Sequence, residues 1–404
     1  MRFRTLDDAD LAGRRALVRV DFNVPMADGE VADDTRLRAA APTIARLRAA
    51  GAKVILISHF DRPKGKRVPS MSLKPLVAPL AALIGAPVAF AEDCVGETAQ
   101  KAVAAMKDGD VLLLQNLRYH AGEEADDPAF AKALATNGDL FVNDAFSAAH
   151  RAHASTDAIA RILPSYAGEA MRRELEALDA ALGAPKHPVL GVVGGSKVST
   201  KLDLLHNLVL KLDALAIGGG MANTFLFAQG WAVGASYCEK DLADTARGVM
   251  AFAEKHHCEL LLPIDIVVAE RAAPGQAARA RALGEVDEDE RILDAGPRTV
   301  ARLAAAMDKA ATLIWNGPLG VFETPPFDAG TTAAARHAAA LAKAGKLIAV
   351  AGGGDTVAAL HHAGVVDDFT FVSTAGGAFL EWMEGKSLPG VAALQAAGGD
   401  VSLA

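Results

Sequence analysis

The sequence predicts an α/β fold made of two doubly wound domains with parallel sheets, joined by a connecting helix. Short apolar, β-branched runs alternate along the chain with longer segments rich in Ala, Leu, Arg and Glu at helical spacing, such as 36–50 and 125–137. This alternation is typical of parallel α/β architecture of the Rossmann-like kind. The 404 residues, 51% of them hydrophobic and 22% charged, suffice for two globular domains with sizeable cores.

The apolar runs give the predicted strands. In the first half these are 16–20, 54–58, 111–115 and 140–142. In the second half they are 189–193, 214–217, 260–263, 312–315, 347–351 and 369–372. The uncharged stretch 75–91 falls short of a membrane span and contains Pro and Gly. We interpret it as a helix that ends at Gly85, followed by a short strand at 88–90.

A helix-like segment near the middle of the chain predicts the domain boundary. Its apolar residues recur at helical spacing and are Met171, Leu175, Leu178 and Leu182. We therefore predict a first domain, a connecting hinge helix, a second domain and a C-terminal tail over 1–165, 166–185, 186–385 and 386–404. A single very large doubly wound domain is the alternative, but domains commonly stop growing near about 250 residues.

Composition excludes several classes of function. A formal net charge of −8 argues against wrapping nucleic acid or coating an anionic membrane, so we expect neither partner. Cys94, Cys238 and Cys258 are widely spaced and form no C-x-x-C pair, so their pattern suggests neither a disulfide framework nor a zinc site. Charged side chains interrupt residues 1–15 where a signal peptide would have its apolar core. We expect a protein of the reducing cytoplasm.

Polar and cationic side chains follow the predicted strands of the first half. In parallel α/β folds, ligands gather at the carboxyl ends of the strands. The residues at these positions are Asp21, Phe22, Asn23, His59, Phe60, Asp61, Arg62, Asn116, Arg118, Asn143, Asp144, His150 and Arg151. With Arg36, the side chains of His59, Arg62, Arg118 and Arg151 are expected to converge on one crevice. Because guanidinium groups match phosphate and carboxylate oxygens, the predicted ligand is a small polyanion.

Glycine-rich loops follow five predicted strands of the second half. They begin at Gly194, Gly218, Asn316, Gly352 and Ser373. Glycine lets backbone N–H groups approach a phosphate, and a following helix adds its N-terminal dipole. Five such loops predict a nucleotide site, and the neighbouring side chains of Asp355 and Thr356 offer the oxygen ligands that Mg²⁺ takes.

The remaining motifs leave alternatives open. The chain has no P-loop, dinucleotide fingerprint, zinc-protease helix, nucleophile elbow or protein-kinase H-R-D loop. Each glycine loop alone is explained by a tight turn, and a single arginine by a surface ion pair; we give the latter interpretation to Arg46, Arg48, Arg172 and Arg173. We interpret 285–290 as a solvated acidic loop, and Trp315 and Phe322 as packing residues. Phe225 and Phe227 either pack a helix or flank an adenine.

The motifs resemble those of the phosphoglycerate kinase family, in that family's order and over essentially the full chain. In the first half they are RVDFNVP at 19–25, SHFDRP at 58–63, EDCVG at 92–96 and AHRAH at 149–153. In the second half they are GGSKVSTK at 194–201, GGGMA at 218–222, WNGPLGVFE at 315–323, GGGDT at 352–356, STAGG at 373–377 and LPGV at 388–391.

The resemblance implies a site in each half. In the first half, 3-phosphoglycerate or 1,3-bisphosphoglycerate is implied to bind Asp21, Phe22, Asn23, Arg36, His59, Phe60, Asp61, Arg62, Arg118 and Arg151. In the second half, Mg²⁺ with ADP or ATP is implied to bind Lys201, Gly219, Asn316, Glu323, Gly353, Gly354, Asp355 and Thr356, with Asp355 near the metal. The family also implies closure of the two domains, and a C-terminal tail that returns to the first domain. We expect a monomer.

Two positions depart from the family's pattern. Asp61 stands where the family usually has glycine, which affects the local backbone and the phosphate affinity, although Asp tolerates the left-handed conformation better than most residues. Ala295 stands where the family usually has Ile, a change that we expect to affect packing only.

Phosphoryl transfer needs in-line alignment and neutralisation of charge more than covalent chemistry. Our hypothesis is that Arg36 and Lys197 bracket the transferring group from the two domains, assisted by the backbone N–H groups of Gly376 and Gly377 and by Mg²⁺. The alternatives are a kinase for another small carboxylate, an idle phosphate-binding scaffold, and a nicotinamide-dependent dehydrogenase; for the last of these the fingerprint is missing.

Overall fold

The computed structural model describes residues 2–399, which form two compact units. Within that range the first unit comprises residues 2–176 together with 387–399, and the second comprises 177–386. The last five residues of the predicted tail, 400–404, lie outside the described residues, as does the first residue of the predicted first domain.

The first unit is built on a six-stranded sheet in which every pairing is parallel. Its strands and a small hairpin are β1 Arg15–Arg19, β2 Met26–Ala27, β3 Glu30–Val31, β4 Lys53–Ile57, β5 Val88–Ala91, β6 Val111–Leu114, β7 Leu140–Asn143 and β8 Ser165–Ala167. The strand order is β5-β6-β4-β1-β7-β8, and β2 pairs with β3 alone. The helices are α1 Thr35–Ala49, α2 Val77–Ile84, α3 Gly96–Ala104, α4 Ala121–Glu124, α5 Pro128–Ala135 and α6 Glu169–Leu178.

Both faces of this sheet are buried, as its uninterrupted apolar strands predict. Along β1, Val18 packs into one core with Leu37 and Ile44 of α1, whereas its neighbour Leu17 packs into a second core with Val103 of α3. Successive side chains of a strand point to opposite faces, so helices must cover both sides. This confirms the α/β class with parallel sheets.

Two helices begin at other residues than their apolar periodicity predicts, because an aspartate side chain accepts hydrogen bonds from the amides at each start. The predicted helix 125–137 is shorter, because Asp127 caps a new start at Pro128 by accepting hydrogen bonds from the amides of Ala129 and Phe130. Helix α6 begins where the buried carboxylate of Asp144 accepts hydrogen bonds from the amides of Ala170 and Met171, at 2.9 and 3.2 Å. The division between the two units falls within α6.

The second unit contains another parallel six-stranded sheet and a smaller antiparallel one. Its strands are β9 Val189–Val193, β10 Ala214–Ile217, β11 Glu259–Leu261, β12 Asp265–Ala269, β13 Arg279–Ala282, β14 Arg291–Ala295, β15 Thr312–Asn316, β16 Ile348–Gly352 and β17 Phe371–Ser373. The parallel sheet has the order β11-β10-β9-β15-β16-β17, and the antiparallel sheet has the order β13-β12-β14. The helices are α7 Leu202–Val209, α8 Gly219–Ala228, α9 Ala243–Lys255, α10 Pro297–Met307, α11 Ala329–Lys343, α12 Gly354–Ala363 and α13 Gly377–Met383.

The antiparallel sheet was not predicted. Strand β13 reads Arg-Ala-Arg-Ala and is largely exposed, so it carries no apolar signal. The acidic residues Glu285, Asp287, Glu288 and Asp289 that follow it are exposed as predicted, but Glu290 is buried and accepts a hydrogen bond from Arg279 at 2.5 Å.

The last described helix, α14 Pro389–Gly399, belongs to the first unit. The Gly390 amide donates to the Ala149 carbonyl oxygen at 2.9 Å, and Ala393 is buried in the core that contains Leu17. Among the described residues, we find no helix with both the length and the apolarity to cross a membrane.

Candidate functional site

In the first unit, the loops after β1 and β4 are tied to the start of α1. Arg36 lies 3.0 Å from the Asp21 carboxylate and donates to the Asn23 carbonyl oxygen at 2.7 Å. The Asn23 side chain accepts from the Asp61 amide at 2.9 Å. Three predicted binding segments are therefore joined by direct contacts.

Asp61 adopts a left-handed backbone with a φ of 50°. Its carbonyl oxygen accepts a hydrogen bond from the Arg118 guanidinium at 2.8 Å, and the residue is exposed. The conformation explains why glycine suits this position. It also shows how Asp is accommodated, with both backbone polar groups bonded and the side chain in solvent.

The predicted cations converge around His59. We call Arg19, Arg36, His59, Arg62, Arg118 and Arg151 the basic cluster. Burial and then the charges of Arg19, Arg118, Arg151 and Arg36 hold the pKa of His59 well below its usual value. Burial lowers the pKa of Arg118, and Arg151 and Arg62 are among the charges that act on it. The charges of these groups therefore act on one another, including those of the predicted residues Arg36, Arg62, Arg118 and Arg151.

Sequence reasoning missed Arg19, the last residue of β1. Its side chain is fully buried; it donates to Ser155 Oγ at 2.8 Å and to the Val20 carbonyl oxygen at 2.5 Å, and it lies 3.0 Å from His59 Nδ1. Because a guanidinium group only donates, His59 Nδ1 must accept this bond. The ring is therefore neutral and carries its proton on Nε2. A charged residue inside an apolar strand was the available signal.

Glu123 supplies the buried negative charge near Arg19. Its two carboxylate oxygens accept from Ser155 Oγ at 2.6 Å and from the Ser155 amide at 3.0 Å, and the residue is fully buried. Burial raises the pKa of Glu123, whereas Arg19 and Ser155 lower it. His153 lies 3.8 Å from Glu123, yet burial and the cluster's positive charge lower the pKa of His153 to about 4. Nothing in the sequence distinguishes Glu123 from a surface acid.

The other predicted residues of this half differ in burial and in their side-chain partners. Arg118 is buried and pairs with Glu124 at 3.2 Å, whereas Arg62 is exposed. Arg151 donates to the neighbouring His150 ring at 3.2 Å. The side chains of Phe22 and Phe60 are buried in the core, so they pack and position the loops.

In the second unit, the glycine loops pack against one another at distances that exclude side chains. A Cβ on Gly194 would lie 1.9 Å from the Pro318 carbonyl oxygen. A Cβ on Gly219, which has a φ of 67°, would lie 2.7 Å from the Gly195 carbonyl oxygen. Contacts below about 3 Å would force the loops apart. These contacts support the tight-turn explanation for the glycines, and the ligand-site explanation stays a prediction.

A cavity of about 550 Å³ opens beside these loops. Of the predicted nucleotide-binding residues, Gly219, Glu323 and Asp355 line it. Its walls also include Tyr237, Leu293 and Phe322. The size and the mixture of apolar and polar walls are typical of small-molecule sites.

Other predicted nucleotide-binding residues form hydrogen bonds with one another and with the neighbouring loops. Lys201 Nζ donates to the Asn316 side chain, and Asn316 Nδ2 donates to the Gly352 carbonyl oxygen at 2.8 Å. Thr356 Oγ1 accepts from the Gly317 amide at 2.7 Å. Burial lowers the pKa of Lys201, and the charge of Asp355 opposes this shift.

The residues predicted to act on the transferring group lie outside the cavity lining. Lys197 is exposed in the loop after β9, and Gly376 and Gly377 lie at the start of α13. Gly353 and Gly354 occupy the same position at the start of α12.

Packing residues were mostly recognised. Trp315 and Phe322 are buried, and Phe225 is fully buried in α8, which favours the packing interpretation of that residue. Phe227 packs against the core around Ile266. The arginines that we interpreted as structural include Arg46 and Arg172, which form ion pairs with Asp7 and Glu169.

Asp294 is a cavity residue that the sequence did not single out. It accepts hydrogen bonds from the Gly330 amide at 2.7 Å and the Ala295 amide at 2.8 Å. Burial raises the pKa of Asp294 to about 7. Ala295, the second departure from the family, is buried in the core of the parallel sheet.

Comparisons with known proteins agree on one family. The family model described as phosphoglycerate kinase matches residues 6–386. A phosphoglycerate kinase of Caulobacter vibrioides is 70% identical over 395 residues, which cover 98% of this chain and 100% of the relative. One of Methylorubrum extorquens is 60% identical over 397 residues, which cover 98% and 99%. The solved structure of phosphoglycerate kinase from Coxiella burnetii superimposes with a TM-score of 0.92 at 39% identity, covering 98% of this chain and 100% of that one.

Proposed function

The chain belongs to the phosphoglycerate kinase family, and from that premise we propose which of its residues carry the reaction. It is a phosphotransferase with a carboxyl group as acceptor. It moves a phosphoryl group reversibly between 1,3-bisphosphoglycerate and ADP, giving 3-phosphoglycerate and ATP, in glycolysis and gluconeogenesis.

We propose that the glycerate substrate binds the basic cluster of the first unit. The observation that carries this proposal is the neutral, buried ring of His59 among several arginines. Arg36, Arg62, Arg118 and Arg151 supply positive charge for a phosphate and a carboxylate, and His59 Nε2–H supplies a neutral donor that orients one of them. Asp21 and Asn23 hold Arg36 in place.

We propose that the nucleotide binds the cavity of the second unit. The adenosine portion fits the cavity beside Gly219 and Glu323, and its phosphates extend toward Lys201 and the glycine loops. The exposed carboxylate of Asp355, in the first turn of α12, is a hard oxygen donor of the kind that Mg²⁺ takes. When bound there, Mg²⁺ supplies positive charge to the phosphate oxygens.

We propose that Arg36 and Lys197 neutralise the transferring group, with backbone N–H groups of Gly376 and Gly377 donating to its oxygens. The acceptor carboxylate is already an anion, so no general base is assigned, and His59 orients and does not move a proton. The transfer needs donor and acceptor oxygens in line, and we propose hinge closure about 166–185 for this step.

A coupled assay with ATP, Mg²⁺ and 3-phosphoglycerate tests these roles. We expect Arg36→Ala and Lys197→Ala each to lower kcat by about 10²- to 10³-fold, by analogy with the loss of one preorganised donor. Arg38→Ala and Lys211→Ala are matched exposed controls that should retain the wild-type rate. Folded Arg36→Ala or Lys197→Ala protein with wild-type turnover would remove that residue from the mechanism.

Two further proposals concern the state of the protein. We propose a cytoplasmic monomer, for which light scattering during size-exclusion chromatography should give the 41.8 kDa mass of one chain. We also propose that both ligands together reduce the radius of gyration in small-angle scattering. An unchanged radius with both ligands bound would rule out hinge closure.

A further inference from the structure

Nitrogen, oxygen and sulfur donors meet at one edge of the first unit's sheet, on residues to which the proposed reaction assigns no role. Strands β5 and β6 are parallel neighbours, paired from Val88↔Val111 to Ala91↔Leu114, so the segments that follow them leave the sheet at the same edge. Asp93 and Cys94 follow β5, and His120 follows the turn after β6. Their ligand atoms lie within 4.8 Å of one another. Among residues 2–399, these three make up the only such group of His, Cys, Asp and Glu.

The three side chains are held in place. Asp93 Oδ1 accepts from the Cys94 amide at 2.8 Å and lies 2.7 Å from His120 Nε2. The His120 ring stacks on Phe130 with centroids 5.1 Å apart, and the Cys94 carbonyl oxygen accepts from Asn137 at 3.0 Å. A ligand set with fixed rotamers loses little entropy when it binds a metal.

The identity of the donors selects the ion. One thiolate, one imidazole and one carboxylate suit zinc, whereas Mg²⁺ and Ca²⁺ take oxygen ligands and an iron–sulfur cluster needs several cysteines. Cys94 is fully buried, but the side chains of His120 and Asp93 are 30% and 23% exposed. Solvent therefore reaches the group, and a water can complete a tetrahedral set.

We propose that Asp93, Cys94 and His120 form a zinc site. The ion takes the place of the hydrogen between Asp93 Oδ1 and His120 Nε2, and the imidazole keeps its one N–H proton on Nδ1. The Cys94 thiol releases its proton to solvent as the metal–sulfur bond forms. Arg67 donates to the other oxygen of Asp93 and so holds the carboxylate in its orientation. The bound ion links the segment after β5 to the segment after β6. Its ligand in the second segment, His120, lies two residues beyond Arg118.

Cobalt(II) titration of the full-length protein under reducing conditions tests this proposal, because a Cys–Co²⁺ bond gives a near-ultraviolet charge-transfer band that nitrogen and oxygen ligands do not. We expect one equivalent of Co²⁺ to produce the band and Zn²⁺ to abolish it. Cys94→Ser should lose the band, and His120→Gln and Asp93→Asn should weaken binding by at least about 10-fold, since even outer-shell partners cost about 10–100-fold.

The other two cysteines provide matched controls. Cys238→Ser and Cys258→Ser should retain both the band and its affinity. The absence of a charge-transfer band in the wild type would overturn the proposal, and so would a band that survives Cys94→Ser. Circular dichroism establishes that each variant is folded, and Cys94→Ser is nearly isosteric. The readout is independent of kinase activity, so it stands or falls separately from the proposed function.

Discussion

Replacing Arg19 should destabilise the first unit more than any single surface change. Arg19→Gln removes the donors to Ser155, to the Val20 carbonyl and to His59, and it leaves the buried Glu123 without its positive neighbour. Breaking a buried charged network costs about 3–5 kcal/mol. With an m-value of about 2.5 kcal/mol/M in urea, the midpoint should fall by about 1–2 M.

The molecule offers an internal control for this measurement. All three tryptophans, Trp231, Trp315 and Trp382, lie in the second unit, so their fluorescence reports on that unit. Far-ultraviolet circular dichroism follows both units. We expect Arg19→Gln to shift the dichroism transition more than the fluorescence transition, whereas the exposed Arg14→Gln should change neither by more than about 0.5 kcal/mol.

A double-mutant cycle tests whether the loss of stability comes from the interaction between Arg19 and Glu123. If Arg19 and Glu123 interact through Ser155, then Arg19→Gln combined with Glu123→Gln should be less destabilising than the sum of the two, by about 0.5–3 kcal/mol. The KM for 3-phosphoglycerate should rise in Arg19→Gln, because His59 loses the partner that fixes its Nε2–H tautomer. Additive effects, or a loss below about 1 kcal/mol, would refute the network.

Three further predictions concern single carboxylates. Asp355→Asn should weaken Mg²⁺-dependent ADP binding by about 10–100-fold in isothermal titration, with the exposed Asp367→Asn as the control; equal affinity would exclude Asp355 as the metal ligand. Asp61→Gly should lower the KM for 3-phosphoglycerate by about 1.5- to 5-fold at low salt and have little effect at high salt, since it removes one exposed negative charge near Arg118; a higher KM would contradict this reasoning. Asp294 has a pKa raised to about 7, so its ionisation costs stability as the pH rises from about 4 through 7, and Asp294→Asn should gain stability relative to wild type between pH 5 and pH 8 by tryptophan fluorescence. A constant difference between the two proteins across that range would show that Asp294 is ionised throughout.

The fold was largely predictable because its main strands are buried on both faces. Such strands appear as uninterrupted apolar runs, and all ten predicted runs correspond to strands whose ends lie within two residues of the predicted ones. Strand β12 also carries an apolar run, Ile266 to Ala269, that was not assigned, whereas two other segments that escaped prediction lack this signal. Strand β13 alternates Arg with Ala on an exposed surface, and β8 has only three residues.

The candidate site was predictable to the extent that it lies directly after strands. Arg62 and Arg118 lie in the loops that follow β4 and β6, and parallel topology then brings them together. Glu123 does not follow a strand, and Ser155 lies 32 residues further along the chain. Sequence spacing carries no information about such a contact.

By itself, the sequence determined the α/β class, the separation of arginines and glycines between the two halves, and the family. Each of these can be recognised from hydrophobic periodicity or from motifs of contiguous residues. Only the tertiary structure decided which nitrogen of His59 holds the proton, that Arg19 and Glu123 are buried together, and that Asp93 meets His120 from 27 residues away, with Cys94 beside it. These features depend on distances between chain segments and on the removal of water, and folding alone sets both.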